Sequence, residues 1–274
     1  MEPFIGTSGY SYKDWKNDAF YPKGMKPTEH LAFFASKFNT VEINMTFYRP
    51  VAASTIERWV AVTPDDFAFT MKASKVITHF RRLKNVDGEI RSMWEQFGPL
   101  GKKLRCVLFQ LPPSMKLDPP TLERFLDKVE KERTKRGIES LVAVEFRNRS
   151  WYEPEVFRIL EDRGMTAVLH DMPYKGGFWP IAEDGEWLLK SGHLIMHPDD
   201  WIFRTSEHFF YLRFHGTVQK RAWQEYGVAE LEPWAELARR CLAKEKPFFA
   251  YFNNDGHAAA VRDAAIFRSL LESD

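Results

Sequence analysis

The chain has 274 residues, of which 44% are hydrophobic and 28% charged, a composition typical of globular proteins. Lysine plus arginine total 39 against 38 for aspartate plus glutamate, so the net charge does not favour nucleic acid or an anionic membrane as partner. Cys106 and Cys241 lie in apolar runs, as buried free thiols do, and there is no secretory leader or 18-residue apolar run, so we expect a cytoplasmic protein without a membrane partner.

Short apolar runs rich in β-formers alternate eight times with longer segments of helical periodicity. The predicted strands are, in order, Phe4–Ser8, Thr40–Asn44, Phe67–Lys72, Arg105–Leu111, Leu141–Arg147, Thr166–Asp171, Phe209–His215 and Pro247–Asn253. Eight parallel strands joined by right-handed crossovers close readily into a barrel. We therefore predict the α/β class, with one (β/α)8 TIM-type barrel over residues 1–274.

The connecting segments carry helical signals. Ser54 with Glu57, and Ser150 with Glu153, have capping-box spacing and predict two helix starts. Apolar stripes at helical spacing comprise Leu122, Phe125, Leu126 and Val129; Val156, Ile159 and Leu160; and Leu231, Trp234, Leu237, Ala238 and Cys241. We expect these stripes to pack against the outside of the barrel.

One connection, over residues 172–208, lacks any helical period and is rich in Pro, Gly, Trp and His. A long connection after strand six is where a barrel would carry a lid or a substrate loop. A small inserted subdomain is the alternative. We predict an irregular insertion between strands six and seven.

Ionisable and amide residues gather at the ends of the predicted strands. Since side chains alternate along a strand, Glu42 with Asn44 and Glu145 with Arg147 each share the inward face. In barrels, inward residues at the carboxyl ends of strands line the mouth, where catalytic groups lie. The predicted mouth residues are Glu42, Asn44, Lys72, Gln110, Glu145, Arg147, Asp171, Arg213, His215 and Asn253.

This charge pattern predicts an enzyme acting on a small anionic or phosphorylated substrate, with hydrolysis as one candidate reaction. Glu42 and Glu145 are the candidate acid and base, and His215 and Asp171 the candidate proton-transfer groups. The predicted substrate-binding residues are Asn44, Tyr48, Lys72, Gln110, Arg147, Trp151, Arg213, Asn253 and Asn254. The alternative is a structural ion-pair network that plugs the top of the barrel.

Three other functions stay open. A glycosidase would use Glu42 and Glu145 as its pair of carboxylates, but barrel glycosidases usually take that pair from strands four and seven, which end here in Gln110 and His215. A metal-dependent phosphodiesterase acting on nucleic acid would need a divalent ion, for which no tight ligand motif is present. A non-catalytic ligand- or partner-binding barrel is the third. We predict no cofactor, and the sequence does not determine the oligomeric state.

Distinctive motifs run along most of the chain. They include Gly6-Thr7-Ser8-Gly9-Tyr10, Val41-Glu42-Ile43-Asn44, Lys72-Ala73-Ser74, Gln110-Leu111-Pro112-Pro113, Glu145-Phe146-Arg147, Arg213-Phe214-His215-Gly216 and Tyr251-Phe252-Asn253-Asn254-Asp255. This set resembles the YecE-like family, catalogued as domain of unknown function seventy-two. The resemblance implies a TIM-type barrel and no established activity. A weaker likeness links such barrels to the metal-dependent endonuclease IV and sugar isomerase superfamily, whose metal-ligand set has no evident match in this sequence.

Overall fold

The structure is a computed structural model, and it describes residues 2–171, 208–219 and 222–272. Its strands are β1 (Phe4–Ser8), β2 (Thr40–Ile43), β3 (Ala68–Lys72), β4 (Leu104–Gln110), β5 (Leu141–Glu145), β6 (Thr166–Ala167), β7 (Leu169–Asp171), β8 (Phe210–Phe214), β9 (Thr217–Gln219), β10 (Ala222–Gln224) and β11 (Phe248–Phe252). All eight predicted strands are confirmed. The predicted insertion over residues 172–208 lies outside the described residues except for His208.

Helices follow the strands on the outside of the sheet. They are α1 (His30–Ala35), α2 (Met45–Tyr48), α3 (Ala53–Val62), α4 (Asp87–Phe97), α5 (Pro119–Lys135), α6 (Pro154–Glu161), α7 (Val228–Leu242) and α8 (Ala259–Glu272). Short 3-10 turns occur at Lys13–Trp15, Gly98–Lys103, Arg149–Trp151 and Gly256–Ala258, and a π-helical turn spans Val76–Phe80. Within the described residues, no helix is both long and apolar enough to cross a bilayer.

The sheet closes on itself through its interrupted sixth strand. Nine parallel segments pair in the order β6-β5-β4-β3-β2-β1-β11-β8-β7. The segments at the two ends of this order, β6 and β7, are successive parts of one strand that flank Val168. Because β6 pairs with β5 and β7 pairs with β8, the ring is complete. The predicted TIM-type barrel is confirmed.

Two apolar layers hold the barrel together. The helices bury stripes such as Leu122, Phe125 and Val129 of α5 against the outer face of the strands, as their spacing predicted. A second, smaller cluster fills the lower interior of the barrel with Cys106, Leu108, Ala143, Val168, Phe209, Tyr211, Phe249 and Tyr251. This apolar floor lies beneath the polar groups of the mouth, since the floor residues precede the mouth residues on the same strands.

The barrel wall requires glycine at one position. A Cβ built on Gly6 of β1 would lie 2.2 Å from the carbonyl oxygen of Thr40 on the neighbouring strand β2. Backbone atoms cannot yield as a flexible side chain would. The absence of a side chain at Gly6 therefore allows β1 and β2 their close approach.

Both capping-box predictions are wrong. Helix α3 begins after Ala52, which places Ser54 inside its first turn. Helix α6 begins at Pro154, whose ring fixes the backbone for the first helical position, and Glu153 precedes it without a capping hydrogen bond. The Ser150 hydroxyl instead accepts a hydrogen bond from the Leu117 amide at 2.9 Å.

Candidate active site at the barrel mouth

The polar side chains of the mouth are aimed inward by strand alternation. In the pairing of β7 with β8, His170 lies opposite Arg213, whereas Asp171 lies opposite Phe214. Residues in register share a face of the sheet, so His170 and Arg213 point into the barrel. The residues brought together here are Glu42, Asn44, Lys72, Gln110, Glu145, Arg147, His170, Arg213, His215 and Asn253.

Arg213 lies at the centre of this group and binds two carboxylates at once. Its Nη2 lies 2.8 Å from Oε1 of Glu42, and its Nη1 lies 2.5 Å from Oε2 of Glu145. Both carboxylate side chains are fully buried, and the Arg213 side chain is 1% exposed. Burial alone would lower the pKa of Arg213, but the two carboxylates raise it above its ordinary value. The guanidinium is thus a permanent positive charge that bridges β2 and β5.

Two hydroxyl groups also donate to Glu42. Ser8 donates to its Oε1 at 2.7 Å, and the Tyr211 hydroxyl donates to its Oε2 at 2.6 Å. Burial, together with the negative charge of Glu42, raises the pKa of Tyr211 well above its ordinary value, so the phenol keeps its proton and donates it. Glu42 is consequently held by three donors beneath the surface of the mouth.

Glu145 is held in the same way. Arg147 Nε donates to its Oε1, while Arg213 occupies Oε2. Burial opposes the charged form, but first Arg147 and then Arg213 hold the pKa of Glu145 well below its ordinary value. A carboxylate stabilised this strongly is a weak base and does not act as a general acid near neutral pH. The geometry favours Glu145 as a group that positions the two arginines.

Above the carboxylates, Arg147 and His215 form the next layer. Arg147 Nη2 lies 3.1 Å from Nε2 of His215, and the side-chain amide of Asn253 lies 3.0 Å from the other ring nitrogen. Asn44 in turn donates to the Asn253 side chain at 3.2 Å. Burial, followed by the charges of Arg147 and Arg213, holds the pKa of His215 well below its ordinary value. The neutral ring of His215 therefore lies between the Arg147 guanidinium and the Asn253 side-chain amide.

Lys72 is the second cationic residue near the opening. Its Nζ donates to Oε1 of Gln110 at 2.6 Å and lies 4.5 Å from the centre of the Phe47 ring. Burial and then the charge of Arg213 lower the pKa of Lys72 to about 7. At neutral pH a substantial fraction of this amine is therefore uncharged.

The sequence-based assignment of site residues omitted His170. Its ring centre lies 6.4 Å from that of His215, and burial lowers its pKa to about 3, so it is neutral. The predicted mouth residue of strand six is Asp171. In the structure the interior positions of this strand alternate from Val168 to His170, so His170 lies opposite Arg213 and Asp171 faces outward.

Three residues predicted for the site lie in the outer layer instead. The Tyr226 hydroxyl donates to Asp171 at 2.6 Å, and Asn254 donates to Asp263 of α8 at 2.6 Å. Trp151 is fully buried, where its indole donates to the carbonyl of Met115 at 2.7 Å. Each placement has a physical reason. Asp171 occupies an outward position of β7, Asn254 follows the end of β11 and faces α8, and Trp151 fills a core position after β5.

Tyr48 is placed differently again. It is 67% exposed on α2, and Lys75 Nζ lies 5.5 Å from the centre of its ring. It packs edge-on against Phe47, whose ring lies beside Lys72. Tyr48 therefore belongs to the solvent-facing rim and not to the hydrogen-bonded cluster of the mouth.

In the parts of the chain that the structure describes, no group of three or more His, Cys, Asp or Glu residues is placed to hold a metal ion. The two mouth carboxylates, which would be its natural ligands, are bound by Arg213, Arg147, Ser8 and Tyr211.

Comparison with known proteins identifies relatives along the whole chain. The model of a family described as "Protein of unknown function DUF72" matches residues 4–274. The UPF0759 protein YunF of Bacillus subtilis (strain 168) is 25% identical over 294 residues, covering 98% of this chain and 94% of YunF. The UPF0759 protein YecE of Escherichia coli (strain K12) is 28% identical over 169 residues, covering 61% of this chain and 58% of YecE.

Solved structures show the same likeness. A crystal structure of a DUF72 family protein from Thermotoga maritima MSB8 superposes with a TM-score of 0.78 at 26% identity and covers 99% of this chain and 100% of that one. A xylose isomerase-like TIM barrel protein from Mycobacterium smegmatis, solved in complex with magnesium, has a TM-score of 0.54 at 11% identity and covers 100% and 99% of the two chains. The second likeness concerns the fold alone.

Proposed function

The chain belongs to the DUF72 family of TIM-barrel proteins, and we propose that it is an enzyme that binds a small anionic substrate, such as a phosphorylated or carboxylated metabolite, at the mouth of its barrel. One observation carries the proposal. The carboxylates of Glu42 and Glu145 are fully buried, whereas Arg147 and Lys72, which are hydrogen-bond donors, retain some exposure.

The exposed fractions of the side chains show that Glu42 and Glu145 lie deeper in the barrel than Arg147 and Lys72. The carboxylates of Glu42 and Glu145 are 0% exposed, whereas Lys72 and the side chain of Arg147 are each 8% exposed. A ligand that enters the mouth therefore meets Arg147, Lys72 and the side-chain amides of Asn44 and Asn253 before it reaches Glu42 or Glu145. Guanidinium and amide donors at such a position favour phosphate or carboxylate oxygens.

The titration properties of the mouth support catalysis as well as binding. Lys72, His170 and His215 all have pKa values below their ordinary range, chiefly because of burial. Strongly perturbed groups that cluster at the carboxyl-terminal face of a barrel are the usual sign of an active site. A bound anion beside Arg147 would offset the positive field and raise the pKa of His215, so His215 is our candidate for proton transfer once substrate is bound.

Calorimetric titration with inorganic phosphate at pH 7.5 tests the binding step. We expect the parent protein to bind phosphate and to take up protons as it does so, measured by repeating the titration in buffers of different ionisation enthalpy. Arg147→Met should weaken binding at least tenfold, because a charge-assisted hydrogen bond is lost. Arg163→Met is the matched control, since Arg163 pairs with Asp127 on the outer surface.

The catalytic step requires a second experiment. Small phosphorylated and carboxylated metabolites that raise the melting temperature of the parent, but not of Arg147→Met, are assayed for turnover. Turnover that depends on His215 supports the proposal. Stabilisation without turnover of any such ligand favours a non-catalytic binding protein, and the absence of phosphate binding by the parent contradicts the anion site itself.

A further inference from the structure

We propose that Lys72 is a carbonyl-reactive amine, which narrows the substrate class to small anions that carry an aldehyde or ketone. This inference rests on the proposed function for its anionic part. The reaction is the formation of an imine between Nζ of Lys72 and the carbonyl carbon of a ligand whose anionic group lies against Arg147.

The described part of the chain has one other buried lysine, Lys103. Lys103 is 7% exposed, and its Nζ donates to the carbonyl of Val60 at 2.8 Å and to the carbonyl and hydroxyl of Thr63 at 2.8 and 3.1 Å. Three acceptors match the three protons of an ammonium group. Lys103 is thus built as a charged structural residue that binds the end of α3.

Lys72 is almost equally buried, at 8% exposed, but its surroundings differ. In the described part of the chain its Nζ has one hydrogen-bond acceptor, the neutral amide oxygen of Gln110, and its other close neighbour is the face of Phe47. No described carboxylate lies within 4.0 Å of Nζ. A single acceptor leaves room for an amine lone pair, which an ammonium group lacks.

The backbone holds Lys72 in a fixed position at the strand end. The Thr46 hydroxyl donates to the carbonyl of Lys72 at 2.6 Å, and the amide of Ala73 donates to the carbonyl of Leu108 at 2.9 Å. Residues at this end of barrel strands point toward the bound substrate. The amine is therefore presented to the mouth by a rigid support, as nucleophilic catalysis requires.

The electrostatic surroundings of Lys72 agree with this geometry. Burial, and then the charges of Arg213 and Arg147 acting against those of Glu145 and Glu42, place the pKa of Lys72 at about 7. Near neutral pH, an ordinary lysine is uncharged in roughly one molecule in 10³, whereas a substantial fraction of Lys72 is uncharged. The amine form that attacks a carbonyl is thus abundant without an added base.

The lone pair on Nζ forms a C–N bond with the carbonyl carbon, and one proton passes from nitrogen to the carbonyl oxygen to give a carbinolamine. The C–O bond of the carbinolamine then breaks as nitrogen loses its second proton, and the hydroxyl group leaves with that proton as water. The products are an imine and one water, with no oxidant or reductant consumed.

Reductive trapping on the intact chain tests the proposal. Glyoxylate, the smallest aldehyde that carries a carboxylate, is added at pH 7 with cyanoborohydride, and each modified lysine is quantified by peptide mass spectrometry. Acetaldehyde serves as the uncharged probe. We expect Lys72 to be labelled at least tenfold more than the neighbouring Lys75, which is partly exposed and serves as an internal control within the same molecule.

Two variants separate this inference from the proposed function. Lys72→Arg should abolish the preferred adduct with both probes. Arg147→Met should reduce labelling of Lys72 by glyoxylate at least fivefold more than labelling by acetaldehyde, because loss of the Arg147 charge raises the pKa of Lys72 for both probes alike. Equal labelling of Lys72 and Lys75 by both probes in the parent protein would overturn the inference even where phosphate binding is intact. Preferred labelling of Lys72 by both probes, with the same effect of Arg147→Met on each, would uphold the reactive amine and refute the anion site.

Discussion

Replacement of Arg213 by methionine should destabilise the protein more than any other single change at the mouth. Arg213 binds Glu42 at 2.8 Å and Glu145 at 2.5 Å, and all three side chains are at most 1% exposed. In the variant Glu145 keeps Arg147, whereas Glu42 keeps only the hydroxyls of Ser8 and Tyr211. Removing one partner of a buried ion pair costs about 3–5 kcal/mol, because a charge is left buried without compensation. We expect Arg213→Met to lose about 3–5 kcal/mol of unfolding free energy, and not twice that amount, because only Glu42 is left without a cationic partner.

The loss of stability caused by Arg213→Met should depend on pH in a defined direction. The pKa of Glu145 is held well below its ordinary value of 4.5 by Arg147 and Arg213, although burial opposes this. Such a group contributes stability that is present above its unfolded pKa and is lost as the pH falls through its folded pKa. The difference in free energy of unfolding between the parent and Arg213→Met should therefore be full at pH 7 and shrink as the pH falls below about 4.5.

Urea unfolding followed by tryptophan fluorescence at pH 7 and pH 4 measures this difference. The matched double variant is Arg213→Met with Glu42→Gln, in which the uncompensated charge is absent. We expect the second substitution to recover about 1–3 kcal/mol of the loss, as coupled buried partners do. A cost below about 1 kcal/mol for Arg213→Met, or strict additivity of the two substitutions, would refute the ion-pair account.

Two further changes test the barrel wall and the outer layer. Gly6→Ala should lower the free energy of unfolding by roughly 3 kcal/mol or more, because the new Cβ would press against a backbone carbonyl. In Gly88→Ala of α4 the new Cβ meets nothing within 4 Å, so this variant should be neutral or slightly stabilised. The denaturant midpoints of the two variants test this, and equal midpoints would contradict it. Tyr226→Phe removes a 2.6 Å hydrogen bond to the buried Asp171 and should lower the free energy of unfolding by about 1–3 kcal/mol. Thermal unfolding measures this loss, and an unchanged melting temperature would show that the contact is not stabilising.

The sequence was sufficient to predict the barrel and most of its mouth. Eight alternating apolar segments give the strand number, and a period of two aims Glu42, Glu145 and Arg213 at the same interior. These patterns are strong signals, because a shift of one residue in the register of a strand would turn its whole apolar face toward solvent. The same argument identifies the mouth as the site of mixed charge.

Other residues needed the register of each strand or the path of a loop. Alternation from Val168, which lies in the interior, places His170 inside the barrel and Asp171 outside it. Asn253 and Asn254 are adjacent, so one faces the mouth and the other faces α8, although the sequence favoured both as site residues. Trp151 lies beyond the end of β5, where the path of the loop decides its orientation.

The electrostatic character of the mouth also required the structure. The sequence predicted carboxylates and cations together, but not that Glu42 and Glu145 are fully buried while Arg147 and Lys72 retain exposure. Nor did it predict that burial lowers the pKa of Lys72 to about 7. These properties follow from depth within the barrel, which converts a mixed-charge cluster into a candidate anion site.

A crystal structure of the protein soaked in phosphate, compared with the same soak of Arg147→Met, tests the anion site most directly. The account predicts a phosphate within hydrogen-bond distance of the Arg147 guanidinium and the Lys72 amine in the parent, and none at that position in the variant. A mouth that stays free of phosphate at concentrations that saturate calorimetric binding, or a divalent metal held by Glu42 and Glu145 in its place, would contradict it.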